Sequence, residues 1–197
     1  MIQNVVFDIG NVLVTFKPKE YYQEILKEQC SHICDLVFAS SYWKDYDDGL
    51  LTLQEVKSAL LRCYPSSEKE ITLVTDQWFE LMKPIEAMME LRKTCRQKGY
   101  GIYIISNLSE DSYQYLQIKY QLFDDLDGRV LSFEEKFGKP DVRMYDYLCT
   151  RYHLDPSTCL FIDDRLVNIE AAKAMGMQCI HMQTIEQTMK EAREILC

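Results

Sequence analysis

Three short apolar runs, each emptying into polar residues, constrain this chain most. Asn4-Val5-Val6-Phe7 leads into Asp8-Ile9-Gly10-Asn11-Val12, Gly101 to Ile105 ends on Ser106-Asn107, and Cys159 to Ile162 ends on Asp163-Asp164. Runs of this length between turn signals read as buried strands. Helical stretches separate them: Ile85 to Lys98, a helix starting near Glu110, Val142 to Tyr152, and Asn168 to Met175 before Gly176. Shorter strands are expected at Arg129 to Leu131 and Gln178 to His181. Alternating strands and helices predict a Rossmann-like α/β fold with a parallel sheet. In such a sheet the strand ends share one edge, so Asp8, Ser106 and the Asp163-Asp164 pair can meet in one pocket.

One stretch breaks the alternation. Pro18 to Leu81 reads as helices, with apolar residues at helical spacing in Tyr21 to Leu26 and Leu53 to Leu61. Asp48-Gly49 marks a turn, and Thr52 with Glu55 forms a capping box ahead of the second helix. The expected organisation is an α/β core from residues 1–16 and 85–197, interrupted by an all-helical insertion at 17–84.

A chain of 197 residues with 47% hydrophobic content can bury such a core. The net charge of −9 argues against nucleic acid, which normally meets a clustered basic face. No run approaches membrane-spanning length, and a first strand starting near Met1 leaves no room for a secretory leader, so a cytoplasmic location is expected. The eight cysteines lack paired C-x-x-C spacing and read as free thiols. Cys30-x-His32-x-Cys34 has a composition suited to zinc, but three ligands within five helical residues point to different faces. Phe123 to Asp127 lacks the glycine and closing glutamate of a calcium loop and reads as a solvated turn.

The strand-end residues make chemical sense together. Asp8 can attack phosphorus and carry the phosphoryl group, provided its repulsion from a dianionic substrate is neutralised. Mg²⁺ suits that task, with ligands expected from Asp8, the Gly10 carbonyl, Asp163 and Asp164. Lys139, in the loop Gly138-Lys139-Pro140-Asp141, is expected to pair with phosphoryl oxygens or with Asp8. The Ser106 hydroxyl and Asn107 backbone N–H are expected to donate hydrogen bonds to the substrate.

Four segments in order, Val5 to Leu13, Ile104 to Asn107, Lys139 to Asp141 and Phe161 to Asp164, resemble the four motifs of the haloacid dehalogenase-like hydrolases. The resemblance covers the whole chain. It implies that Asp8, Ser106 and Lys139 are catalytic and that the helical insertion is placed like a class I cap. Asp8-x-Gly10-Asn11-Val12 and the run Asp163 to Asn168 look most like phosphatases of the glucose-1-phosphatase type and the phosphatase domain joined to epoxide hydrolase. Tyr42 to Gly49 is similar to the cap segment facing the active site, which suggests Trp43 as an aromatic contact for a sugar ring, although aromatics at helical spacing more often belong to a core. By family position Asn168 supports the metal shell, whereas locally it can cap the helix it begins. The histidines fall outside the motifs.

One position departs from the pattern. Phosphatases of the family usually carry a second aspartate two residues after the nucleophile as general acid and base; here that residue is Gly10. The expected function is therefore Mg²⁺-dependent hydrolysis of a small phosphorylated metabolite, with sugar phosphates and anomeric 1-phosphates favoured because they leave with little protonation. The alternative is a non-catalytic sugar-phosphate or metal-binding protein that lost turnover through Gly10. Oligomeric state is not legible in the sequence.

Overall fold

The structure, a computed structural model, describes residues 1–196. Among these, five strands form one parallel sheet: β1 (Asn4–Phe7), β2 (Gly101–Ser106), β3 (Gly128–Leu131), β4 (Cys159–Asp163) and β5 (Gln178–His181), in the order β3-β2-β1-β4-β5. β1 is central, with Phe7 opposite Ile104 on one side and Ile162 on the other. Asp8, one residue further, is thus flanked by the ends of both β2 and β4.

The strands are apolar on both faces because both faces are covered. Val5, Phe7, Ile102, Ile104, Leu160 and Ile162 pack into one hydrophobic cluster. Val6, Tyr103, Ile105, Phe161 and Val130 point the other way into a second. This is the two-residue period of a strand displayed in its packing.

The helical insertion contains α1 (Pro18–Leu26), α2 (Cys30–Phe38), α3 (Ser41–Asp47), α4 (Leu53–Cys63) and α5 (Glu68–Gln77). Its entry and exit chains meet at an antiparallel bridge between Val14 and Pro84, where Thr15 N donates to Lys83 O at 2.8 Å and Ile85 N to Leu13 O at 2.8 Å. The Thr52–Glu55 capping box opens α4 as its sequence requires. Cys30 and Cys34 are buried on one face of α2 with sulfurs 3.9 Å apart, while His32 is exposed, so the three side chains do not converge on a zinc ion. The described cysteines are free thiols; Cys197 lies outside the described residues.

The rest of the core is α6 (Glu86–Gln97), α7 (Glu110–Tyr120), the short α8 (Ser132–Glu135), α9 (Val142–Tyr152), α10 (Leu166–Ala174) and α11 (Ile185–Ile195). Helix α11 was not expected, since its segment is mostly polar. Its signal was nonetheless present as a Thr184–Gln187 capping box. Helix α10 begins at Leu166, before the Asn168 that sequence spacing suggested as a possible first residue. The 123–127 turn is not merely solvated: Arg92 donates to the carbonyls of Leu122 and Asp124, and Arg96 pairs with Asp127 at 2.8 Å. No helix among the described residues is long and apolar enough to cross a membrane.

Candidate active site

Asp8 leaves β1 at the sheet edge with only 6% of its surface exposed. Three donors converge on its Oδ1: the Ile9 backbone N–H at 2.7 Å, the Ser106 hydroxyl at 2.7 Å and Lys139 Nζ at 2.8 Å. They lock the carboxylate's rotation. Ser106 arrives as the last residue of β2, so the register between neighbouring strands delivers it.

Lys139 is buried and bridges two carboxylates, with its Nζ also 2.5 Å from Asp163 Oδ2. Its loop is held by Asn107, whose side-chain N–H₂ donates to Lys139 O at 3.0 Å and whose Oδ1 accepts from Lys139 N at 2.7 Å. The Asn107 side chain therefore positions the lysine, a role that sequence reading missed by considering only its backbone. Gly138 makes this possible: a Cβ there would lie 2.6 Å from Asn107 Oδ1. Gly138→Ala should displace that amide and shift Lys139. The expected result is a loss of up to about 10²-fold in turnover from misplacement of Lys139, with about 1–3 kcal/mol lost from overpacking. Steady-state rates and denaturant melts measure the two effects.

Asp163 is fully buried and heavily engaged, accepting from Lys139, from Arg165 N at 2.8 Å and from Asn168 Nδ2 at 3.0 Å. Asn168 thus sits inside the first turn of α10 with its amide on Asp163, and the helix-capping alternative is excluded. Asp164 is half-buried and more open. Its Oδ2 accepts from Asn11 Nδ2 at 3.1 Å, and its carbonyl lies 3.0 Å from His181 Nε2.

Asn11 is a second residue that sequence reasoning passed over. It adopts the left-handed conformation at φ 55°, and its Oδ1 accepts from Phe16 N at 2.9 Å. A lone asparagine inside the apolar run from Ile9 to Val14 was the available signal, because asparagine tolerates that conformation better than most residues.

Asp8, Asp163 and Asp164 each present an oxygen within 4.8 Å of the others. One lysine cannot balance three carboxylates, and an all-oxygen set of this kind suits a hard divalent cation. The electrostatics agree. Burial, opposed by Lys139 and reinforced by Asp163, pushes the Asp8 carboxyl up from 3.8 to about 7. Burial also raises Asp164, against the Asn11 hydrogen bond and with help from Asp163. For Lys139, burial alone would lower the pKa, but Asp8 and Asp163 outweigh it and raise it. A cleft of about 700 Å³, lined in part by Asn11, Thr15, Lys17 and His181, opens beside Asp164 and gives the acidic cluster access to solvent.

Trp43, expected to contact substrate, is instead buried within the helical insertion. Its ring meets Phe38, Tyr46 and Trp78 edge-on at centroid distances of 4.6, 5.3 and 5.3 Å, and only 4% of the residue is exposed. Its apolar surface is spent on packing, which corrects the sugar-stacking expectation.

The sequence matches the family model for haloacid dehalogenase-like hydrolases over residues 2–176. The chain belongs to that family. Among curated proteins, the hydrolase is 25% identical to a sesquiterpene phosphatase, astK, of Aspergillus oryzae, over 97% of this chain and 95% of that one. It is 23% identical to a D-ribitol-5-phosphate phosphatase of Bacteroides thetaiotaomicron, with 90% of each chain covered. Its fold is shared with a family enzyme of the same bacterium solved with magnesium and inorganic phosphate, at a TM-score of 0.71, 21% identity, and coverage of 91% and 93%.

Proposed function

We propose that this hydrolase is a Mg²⁺-dependent phosphatase of a small phosphorylated metabolite, working through an aspartyl phosphate at Asp8. The observation that carries the reading is the convergence of Ser106, Lys139 and two further aspartates on one locked, buried carboxylate. The phosphatase names of its relatives support it. When bound at Asp8, the Gly10 carbonyl, Asp163 and Asp164, Mg²⁺ supplies positive charge against the substrate dianion. Asp8 attacks phosphorus, while Lys139 and Ser106 hold its orientation and offer donors to the phosphoryl oxygens, joined by the Asn107 backbone N–H. Residues 17–84 act as a cap that excludes water during transfer and then admits it. The free thiols fit a cytoplasmic setting.

Within this class we favour sugar or polyol phosphates. Gly10 offers no proton donor from the core, so anomeric 1-phosphates should outrun primary 6-phosphates. The test is inorganic phosphate release from paired hexose 1- and 6-phosphates, with and without Mg²⁺. Faster release from the 6-phosphates would sink the anomeric preference. Silence on all of them, in folded protein that still binds phosphate, would favour the non-catalytic binding reading that Gly10 suggests.

Metal removal has a second readout. Asp8 and Asp164 have folded pKa values raised above the unfolded value of 3.8. A raised group contributes stability that is complete below its unfolded pKa and is lost as pH rises through its folded pKa. Chelated protein should therefore melt lower at about pH 8 than at about pH 5. Mg²⁺ should raise the melting temperature more at the higher pH, by the equivalent of about 2.7 kcal/mol at a hundredfold excess over its Kd. Melting scans with chelator and with Mg²⁺ at the two pH values test this.

A further inference from the structure

The carboxylate missing at Gly10 has left its space behind: a Cβ built there meets nothing within 4 Å. A proton donor must come from elsewhere if poor leaving groups are to depart. The carboxyls of Asp8, Asp163 and Asp164 are committed to the acidic cluster.

The loop that carries Ser106 leads to a different carboxyl. Ser106 touches Asp8, and three residues later the backbone N–H of Ser109 lies against the Asp47 carboxyl from the helical insertion. Three residues span at most about 11 Å, so one short loop has the nucleophile at one end and Asp47 at the other. The contact is built rather than incidental. Ser132 Oγ donates to Asp47 O at 2.5 Å and accepts from Leu108 N at 2.8 Å. Tyr46 Oη donates to Asp111 at 2.7 Å, and Lys136 Nζ to Gly49 O at 2.9 Å. Gly49 has φ +66°, and a Cβ there would lie 2.7 Å from Phe133 O, so the turn after Asp47 seats against the core only as glycine.

Its neighbours are otherwise engaged: Asp48 is buried and paired with Lys44, and Asp111 accepts from Tyr46. Asp47 itself is half-buried. We infer that Asp47, carried by the helical insertion to the end of the Ser106–Ser109 loop, is the proton donor that replaces the absent carboxylate at Gly10. The inference rests on the phosphatase reading. Burial first, then the neighbouring Asp48, raises the Asp47 carboxyl well above its usual 3.8, against Lys44 and the Ser109 N–H, which shifts it toward the protonated form.

The step balances. As Asp8 forms its bond to phosphorus, the ester P–O bond breaks, and the leaving oxygen takes that electron pair and the Asp47 proton. Water then attacks phosphorus and gives a proton to the Asp47 carboxylate. The acyl-phosphate P–O electrons return to Asp8, releasing inorganic phosphate.

The test compares Asp47→Asn with wild type on hexose 6-phosphate, whose alcohol leaves poorly, and on 4-nitrophenyl phosphate, whose phenolate needs no proton. We expect kcat/KM, which reports the step in which the leaving group departs, to fall on the order of 10²–10⁴-fold on the first ester and by less than about tenfold on the second. The alkaline limb of the wild-type hexose 6-phosphate pH profile should vanish with it. Asp47→Glu should keep part of that turnover, and Gly10→Asp combined with Asp47→Asn should restore it. Equal losses of kcat/KM on both esters, or an unchanged kcat/KM for the hexose phosphate, would overturn the inference while leaving the phosphatase reading intact. Wild-type silence on both esters would overturn the phosphatase reading and this one with it. Should the amide not fold, as judged by melting, Asp47→Ser takes its place with the same outcomes.

Discussion

Replacing Asp8 by Asn should reduce phosphate release by about 10⁴-fold or more, the scale of loss when a covalent nucleophile is removed. The amide is nearly isosteric, and its oxygen can still accept from Ser106 and Lys139, as Asp8 Oδ1 does at 2.7 and 2.8 Å. The fold should therefore persist. Because burial makes the Asp8 charge costly near neutrality, the metal-free variant should melt no lower than wild type at about pH 8. Its response to Mg²⁺ should weaken, since one of the three clustered carboxylates is gone. Residual turnover within tenfold of wild type would show that another group attacks phosphorus. Phosphate release and melting scans, each with and without Mg²⁺, separate the chemical loss from any structural one.

Lys139→Met should damage both stability and catalysis. Lys139 is 4% exposed and lies between Asp8 and Asp163, so its removal leaves two buried carboxylates facing each other without their shared cation. Breaking a buried pair in this way costs about 3–5 kcal/mol. The loss should be largest in chelator and partly recovered by Mg²⁺. Turnover should fall on the order of 10²–10³-fold at saturating metal, the usual consequence of removing one preorganised donor to a developing anion. Arginine should not rescue it, because a planar fork does not match a closed site shaped around a compact ammonium. Denaturant unfolding with and without Mg²⁺, together with kcat, checks both claims. An unfolding free energy unchanged in chelator would show that the site repacks without its lysine.

Much of the site was legible because it sits at strand ends. Asp8, Ser106 and Asp163 each follow or finish an apolar run, and parallel pairing brings such ends together regardless of their distance along the chain. Lys139 was legible through its family motif. Asn107 was assigned to the right place with an incomplete role, because its side-chain bridge to Lys139 depends on a loop from elsewhere in the chain and on the missing Cβ of Gly138. Asn11 escaped notice because its importance follows from a left-handed backbone that one-dimensional patterns do not display. Trp43 was misplaced for a different reason: the resemblance of its segment to a cap facing the active site does not say what covers the ring, and here Trp78 and Phe38 cover it.

By itself, then, the sequence determined the alternation of strands and helices, the helical interruption, and the polar residues that occupy the edge of the sheet. These are local properties of periodicity, turn residues and short motifs, written within a few neighbouring positions. Only the tertiary structure decided that Asn168 braces Asp163, that Asn107 and Gly138 set the position of Lys139, and that Asp47 meets the loop that follows Ser106. Each of those relations joins segments far apart in the chain, and its energy depends on burial and on angstrom-scale distances that exist only once the segments have packed.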